Sequence, residues 1–347
     1  MKNVVKQVVA IDVAKDELVV CLGRMLDDWT QDLYANKAFD NNQKGIQRLS
    51  DWVKKQVIPS VPVRYVMEAT GVYHEALAYF LDEQGQELSI VLPNKISNYV
   101  RTLEVKTITD KTSSEAIARF GLERKLENWK RPRMIFKQLR QLSRERDQII
   151  GERTVIKNQI HADKAEALPN KKTLARLSAR LKLLVKQEQE IKNDMLELLD
   201  TDPEVKALVN LLCSIPGIGM LTAVIILAET NGFELIRNRR QLASYAGFDV
   251  KEKQSGTSVK GKPRISKRGN KYLRKAMHLP ALAEIRSDNR CKAIFVRIVS
   301  KNGIRMKAAV AVQRKLLEMT YTIYKTNKGY DKDYFQKQYQ QLALAQN

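Results

Sequence analysis

The chain has 347 residues, 44% apolar and 29% charged, which predicts two or three globular domains and excludes low-complexity disorder. Its 61 Lys and Arg exceed 39 Asp and Glu by 22, a surplus that points to a polyanionic partner, nucleic acid or an acidic membrane surface. The apolar runs fall short of a membrane span, MKNVVKQVVAID lacks a signal peptide's features, and Cys21, Cys213 and Cys291 form no metal or disulfide pattern. The expectation is therefore a cytoplasmic, nucleoid-associated protein with no membrane partner.

In chain order, VVAIDVA (8–14) and ELVVCL (17–22) predict an antiparallel hairpin, with a third strand near Gln31–Asn36. GIQRLSDWVKKQ (45–56) places Ile46, Leu49, Trp52 and Val53 at helical spacing. VRYVMEA (63–69) predicts a buried strand, HEALAYFLDEQG (74–85) a helix ending at Gly85, and ELSIVLP (87–93) a strand stopped by Pro93. Strands and helices in the order β-β-β-α-β-α-β describe an RNase-H-like sheet, so the fold class is α/β followed by α. A loop is expected to pass into a helix at Ser113 or Ser114. From Met134 to Leu199 one apolar stripe comprises Leu139, Leu142, Ile149, Ile150, Val155, Ile156 and Ile160. Pro169 and Asn170 break it, and Leu174, Leu177, Leu181, Leu184, Ile191, Met195 and Leu198 resume it. That pattern predicts an antiparallel coiled-coil hairpin, either a spacer or a dimerisation arm. The expected division is 1–130, a hairpin over 131–202, a mainly helical domain over 203–328 and a loosely held tail over 329–347.

Three acidic residues could carry chemistry. Asp12 interrupts an otherwise apolar strand, where a carboxylate costs several kcal/mol unless it is paired or binds a metal. Glu68 ends the VRYVME strand and Asp110 lies in KTITDKTSSEAIARFG. Hard oxygen ligands of this kind select magnesium over zinc. Further on, SIPGIG (214–219) resembles a helix-hairpin-helix turn in which Gly217 and Gly219 let backbone N–H groups approach a phosphate; a tight turn packed by Ile215 and Ile218 is the equal alternative. Segment 251–275 holds ten Lys or Arg and one acidic residue. Lys260, Lys262, Arg264, Lys267, Arg268 and Lys271 are its candidate phosphate contacts. Ser255, Thr257 and Ser258 are hydroxyls among these cations, placed either to hydrogen-bond phosphate or to attack phosphorus.

In order, IDVAKDEL, VMEATGVYHE, the KT-x-TDK segment, SIPGIG, QLASYAGFD, SGTSVKG and ISKRGNKYLRKAMHLPA resemble the DEDD-type insertion-sequence transposases of the one-ten and eleven-eleven groups, relatives of the Piv-type DNA invertases. The resemblance covers nearly the whole chain. It implies a RuvC-like N-terminal domain, a coiled-coil linker and a C-terminal transposase domain. It also implies a magnesium site on Asp12, Glu68 and Asp110, a covalent serine–DNA intermediate at Ser255, double-stranded donor and target DNA, and a structured non-coding guide RNA. One position departs: where the family pattern T-D-x-x-D-A/S carries a fourth acidic residue, this chain has Ser113, and Glu115 lies too far along to match.

The expected activity is that of an RNA-guided DNA recombinase working as a dimer or tetramer, in which the acidic site and Ser255 meet by folding back or across subunits. A RuvC-like junction nuclease using metal-activated water is one alternative, and a nucleic-acid-binding relative inactivated at Ser113 is the other.

Overall fold

The computed structural model describes residues 2–69, 71–103, 107, 109–234, 236–251, 254–255, 259–260, 264–287, 289–331 and 333, with backbone alone at 254, 255, 259, 260, 289 and 302. The chain divides into two compact units, Met1–Arg131 and Pro132–Asn347.

The first unit contains β1 (Val4–Val13), β2 (Glu17–Leu26), β3 (Gln31–Asp40), α1 (Gln43–Gln56), β4 (Val63–Glu68), α2 (Glu75–Glu83), β5 (Glu87–Val91), α3 (Pro93–Val100) and α4 (Asp110–Glu123). The sheet order is β3-β2-β1-β4-β5, antiparallel from β3 to β1 and parallel from β1 through β4 to β5. That mixed five-stranded sheet, with helices on both faces, is the RNase-H-like arrangement expected from the strand order.

Alternation along the strands sorts the two faces. Val9, Ile11, Val13, Tyr65 and Met67 pack with Ile46, Leu49 and Val53 of α1 and Leu77 and Leu81 of α2. Val8, Ala10 and Val66 face the other way, against Ile117, Ala118 and Leu122 of α4 and Ile96 of α3. Helix α4 lies very close to the sheet at Gly121, where an added Cβ would stand 2.9 Å from Val8 and 3.0 Å from Val66. Lys6 fixes its far end by donating to the carbonyls of Gly121, Leu122 and Arg124 at 2.7, 2.8 and 3.1 Å. Two expectations change here. Pro93 opens α3 as well as closing β5, in the first helical turn where its missing N–H costs nothing. Helix α4 starts at Asp110, before Ser113, because Thr109 caps it: Thr112 N–H donates to Thr109 Oγ1 at 3.2 Å and Thr109 N–H to Thr112 Oγ1 at 2.7 Å.

The second unit contains α5 (Met134–Ala165), α6 (Lys171–Asp200), α7 (Pro203–Cys213), α8 (Met220–Thr230), α9 (Arg239–Tyr245), β6 (Val250–Lys251), β7 (Gln254–Ser255), β8 (Val259–Lys260), β9 (Arg264–Ile265), α10 (Lys271–Ala276), α11 (His278–Ser287), α12 (Asn289–Asn302) and α13 (Arg305–Thr326). Helices α5 and α6 pack as a long pair, joined at Asn170, whose side chain caps α6. Leu139, Ile149, Ile156, Leu177, Leu184, Ile191 and Met195 are buried in their seam. Val155 is not: it falls one residue off the three-four alternation and is 55% exposed. The alternation instead runs through Arg146 and Arg153 on α5 and Glu188 on α6, and Glu188 is only 5% exposed. It accepts from Arg146 at 2.9 Å, pairs with Arg153, and lies 3.3 Å from Lys192. The remaining helices enclose a core of Val205, Leu212, Val224, Leu227, Phe233, Leu242, Leu273, Val312 and Leu316. Of the tail, Tyr330 N–H donates to Ser214 Oγ at 2.9 Å, while Tyr334 and Tyr339 lie outside the described residues. Among the described residues no helix is long and apolar enough to cross a membrane.

Candidate functional site

Sheet parity puts Asp12 and Glu68 on the α4 face, in line with Val8 and Ala10 on β1 and with Val66 on β4. The two strands pair in parallel as far as Ile11 and Met67, so each carboxylate is one step beyond the end of the ladder between them. Asp110, at the first position of α4, completes the group, and Ser113, one turn later on the same side of the helix, donates its hydroxyl to Asp12. Burial is the largest influence on Asp12; with the charges of Glu68 and then Asp110, it pushes the carboxyl from 3.8 to about 6. The Val13 N–H and the Ser113 hydroxyl oppose that rise without overcoming it. Asp12, Glu68, Asp110 and Ser113 thus gather around one carboxylate at the strand ends, under the start of a helix.

The donor set suits a divalent cation in kind, because all its ligands are hard oxygens whose mutual repulsion a double positive charge relieves. Among the described residues, however, no three His, Cys, Asp or Glu side chains are arranged to hold a metal ion between them. Glu115 is directed elsewhere: it accepts from Asn36 at 3.4 Å and lines a groove with Trp29, Gln31, Thr112 and Arg119.

The described residues of the basic segment, the basic excursion, form two short antiparallel ladders. Val250 pairs with Ile265 and Lys251 with Arg264, then Gln254 with Lys260 and Ser255 with Val259. Ser255 therefore stands at the last described pair of that ladder. Thr257, Ser258 and Lys262 lie outside the described residues, as do the side chains of Ser255 and Lys260. Arg264, Lys267, Arg268 and Lys271 are exposed along the return limb.

The QLASYAGFD motif gives this excursion its base. Ser266 N–H donates to Asp249 O at 2.8 Å, Lys267 N–H to Gly247 O at 3.1 Å and Asn270 N–H to Tyr245 O at 2.7 Å. Ser266 Oγ adds a bond of 2.6 Å to Asp249 Oδ1. Gly269 passes so close that a Cβ would stand 2.4 Å from Tyr245 O, and its φ of +150° is one that only glycine adopts readily. Below this lies Glu229, which sequence reading passed over as part of an apolar helix. It is 2% exposed, takes two bonds from Arg144 of α5 at 2.8 and 2.9 Å, and accepts from Asn270 Nδ2 at 2.6 Å. Asn270 Oδ1 in turn caps α10 through Tyr272 and Leu273 N–H. The partners of Glu229 are 41 and 85 residues away in sequence, so no local pattern announces it.

SIPGIG is a turn between α7 and α8 with Ile215 and Ile218 buried, as its packing alternative expects. Gly217 has φ of +78°, and an added Cβ would be 3.0 Å from Pro280 O, which accounts for that glycine by packing. Gly219, the N-cap of α8, faces open space.

A family pattern for DEDD transposases of the IS110 type matches residues 9–163, and one described as "Transposase IS116/IS110/IS902 family" matches residues 209–295. The pilin gene-inverting protein of Moraxella lacunata is 28% identical over 335 residues, 94% of this chain and 98% of the relative. The transposase for insertion sequence element IS1111A of Coxiella burnetii is 24% identical over 345 residues, 91% of this chain and 88% of the relative. Among solved structures, Thermus thermophilus RuvC aligns over 35% of this chain and 99% of its own at 12% identity, with a TM-score of 0.27. The two family patterns follow one another across both units, in the order of the acidic strand ends and the IPGIG turn, and the chain belongs to the IS110-group DNA transposases and recombinases.

Proposed function

We propose that this transposase cleaves and rejoins DNA through an ester between Ser255 and a DNA phosphate, and that Asp12, Glu68 and Asp110 hold a divalent cation, magnesium by donor type. The observation that carries the second half is the gathering of Glu68, Asp110 and Ser113 around Asp12, which leaves a carboxylate at about 6 with acidic neighbours. A bound divalent ion supplies charge neutralisation at a phosphate and activation of an oxygen nucleophile. Toward it, Asp12 and Glu68 offer oxygens from rigid strand ends, Asp110 from a capped helix start, and Ser113 orients the Asp12 carboxylate. At the other site, Ser255 loses its hydroxyl proton and bonds to phosphorus, one phosphodiester P–O bond breaks, and the departing sugar oxygen takes a proton. The number of phosphate ester bonds is conserved, so resealing needs no ATP. Support comes from the place of Ser255 in a segment whose described residues pair as two short ladders and include the exposed Arg264, Lys267, Arg268 and Lys271. Gly219 is suited to a further phosphate contact from open space. A guide RNA, homo-oligomers and a nucleoid location follow from the family resemblance and from the surplus of 22 positive charges.

The test incubates protein, labelled DNA and RNA transcribed from the non-coding DNA flanking the gene, then denatures in detergent. A covalent protein–DNA band that requires the RNA and disappears in Ser255→Ala, with binding intact, is the expected result. Free nicked DNA without adduct would replace the serine reading with the hydrolytic nuclease.

A further inference from the structure

We infer that α12 and the turn into α13 form a second nucleic-acid surface, one that takes the sugar-phosphate backbone of a second DNA duplex. The inference rests on the family's DNA recombination, and neither on Ser255 nor on a metal. Between Asn289 and Lys307 the sequence has six Lys or Arg and no Asp or Glu. Helix α12 is anchored from one side, by buried Cys291 and by Ile294 and Phe295 packed on the helical core. Around the rest of the helix Lys292, Ala293, Val296, Arg297, Ser300 and Lys301 are exposed. Arg297 and Lys301 are one turn apart, and Arg290 precedes them by two turns on the same line. From Arg290 to Lys301 that line runs about 16 Å, the axial length of about five phosphates of one strand. Ala293 and Ser300 beside it are short, so a phosphate backbone can lie close to the helix. Gly303, at φ of +69°, turns the chain so that Arg305 extends the cationic face at the start of α13.

Four of these charges have no ion pair among the described residues. Among the described residues no acidic side chain pairs with Lys292, Arg297, Lys301 or Arg305, whereas arginines on α5 are paired with Glu188 and Glu229. Like charges one turn apart on a helix repel, so the stretch is complementary to a polyanion outside the fold. Its supports also differ from those of the basic excursion. Helix α12 packs on α11 and α13, while the base of the excursion is tied to Tyr245, Gly247 and Asn270. A recombinase joins two DNA segments, and these two cationic stretches give each segment its own seat.

The experiment uses the full chain with Arg297→Ala, Lys301→Ala and Arg305→Ala combined, against a control of equal charge loss at Lys157, Lys171 and Lys182. An immobilised duplex captures the protein, and a second, labelled duplex of DNA or of RNA is offered. Expected is at least a tenfold loss of captured second DNA in the triple variant, with binding of the first duplex retained. A log–log salt slope shallower by about 3 should accompany it, at about 0.9 per phosphate. Undiminished capture, an equal loss in the control, or a loss of RNA capture alone overturns the proposal. So does parallel loss of the first duplex, which would make both stretches one surface. The same positions changed to Gln keep the side-chain stems and serve should the Ala combination melt early.

Discussion

Asp12 in the sheet unit and Glu188 and Glu229 in the helical unit are all carboxylates withdrawn from water, and their neighbours carry opposite signs. Burial pushes Glu188 up, but Lys192, Arg146 and Arg153 outweigh it and hold the carboxyl below the ordinary value. Glu229 is clasped by the fork of Arg144 and by Asn270. Asp12 meets Glu68 and Asp110 instead, and its only described relief is an N–H and a hydroxyl. Two of the three carboxylates therefore complete their electrostatics inside the fold, and the third is left beside like charges. A cluster that is costly as it stands, held rigidly at strand ends, marks function; a carboxylate ringed by cations marks architecture.

The strongest way to break that contrast is at its unrelieved member. Asp12→Asn keeps shape and hydrogen bonding but removes the charge, and we expect DNA cleavage to fall at least about a thousandfold. The metal-free protein should at the same time become more stable. The sign follows from the raised value: with the carboxyl at about 6 in the fold against 3.8 ordinarily, ionisation opposes folding. Stability from this group is greatest below pH 3.8 and is lost as pH rises to about 6. After discount for partial exposure, that loss is about 2 kcal/mol, and Asp12→Asn should abolish it. Melting curves in chelator at pH 5 and pH 7.5 compare the two proteins. An Asn variant that melts lower than wild type at pH 7.5 would mean that Asp12 is a structural carboxylate after all.

Glu229→Ala tests the opposite case. It strands Arg144 and frees Asn270 from the base of the basic excursion, at an expected cost of about 3 kcal/mol by urea denaturation. Full-strength DNA binding with unchanged stability would show that the excursion does not depend on this clasp. Next in size is Glu188, which stands with Arg146 and Arg153 in the seam positions of the long helix pair. Glu188→Leu alone should cost about 2 kcal/mol, because it leaves two half-buried guanidinium groups facing an apolar side chain. Changing all three to Leu should restore stability to within about 1 kcal/mol of wild type and loosen the register the polar layer sets. Crosslinks between cysteines placed on facing helix positions would detect slipped registers.

Much of this was legible from local pattern. Short apolar runs and their stop signals announced the strands of the sheet, and the isolated Asp12 in VVAIDVA stood out because a charge in an apolar strand has few innocent explanations. What stayed hidden depends on partners distant in sequence. Arg146 and Arg153 have no place in an apolar stripe, and only Glu188, 42 and 35 residues away, makes them part of the seam. Glu229, near the end of an apolar helix, has no local pattern that marks its partners. The start of α4 was misplaced because Ser113 and Ser114 are better known as caps than Thr109, whose claim rests on a reciprocal bond with Thr112.

That last correction sharpens the smallest expected effect, at Ser113. Were Ser113 the helix cap, Asp would replace it with little consequence, since both residues cap well. Thr109 does the capping, and Ser113 spends its hydroxyl on Asp12, so Ser113→Asp exchanges a donor for a third negative neighbour. In chelator the variant should lose about 1 kcal/mol, and the Asp12 carboxyl should titrate higher still. With magnesium the sign reverses, because the added carboxylate supplies a charged oxygen to the site. Isothermal titration should show tighter magnesium binding in the variant, and the melting temperature should rise more on magnesium addition than in wild type. Activity then separates two histories of the position. Cleavage of equal extent in both proteins, lost in both on Asp12→Ala, means that three carboxylates and a serine suffice. Cleavage confined to Ser113→Asp means that this chain is a dormant form, one carboxylate short of its relatives. Magnesium that binds and stabilises both proteins alike would remove Ser113 from the site and leave its hydroxyl a local bond to Asp12.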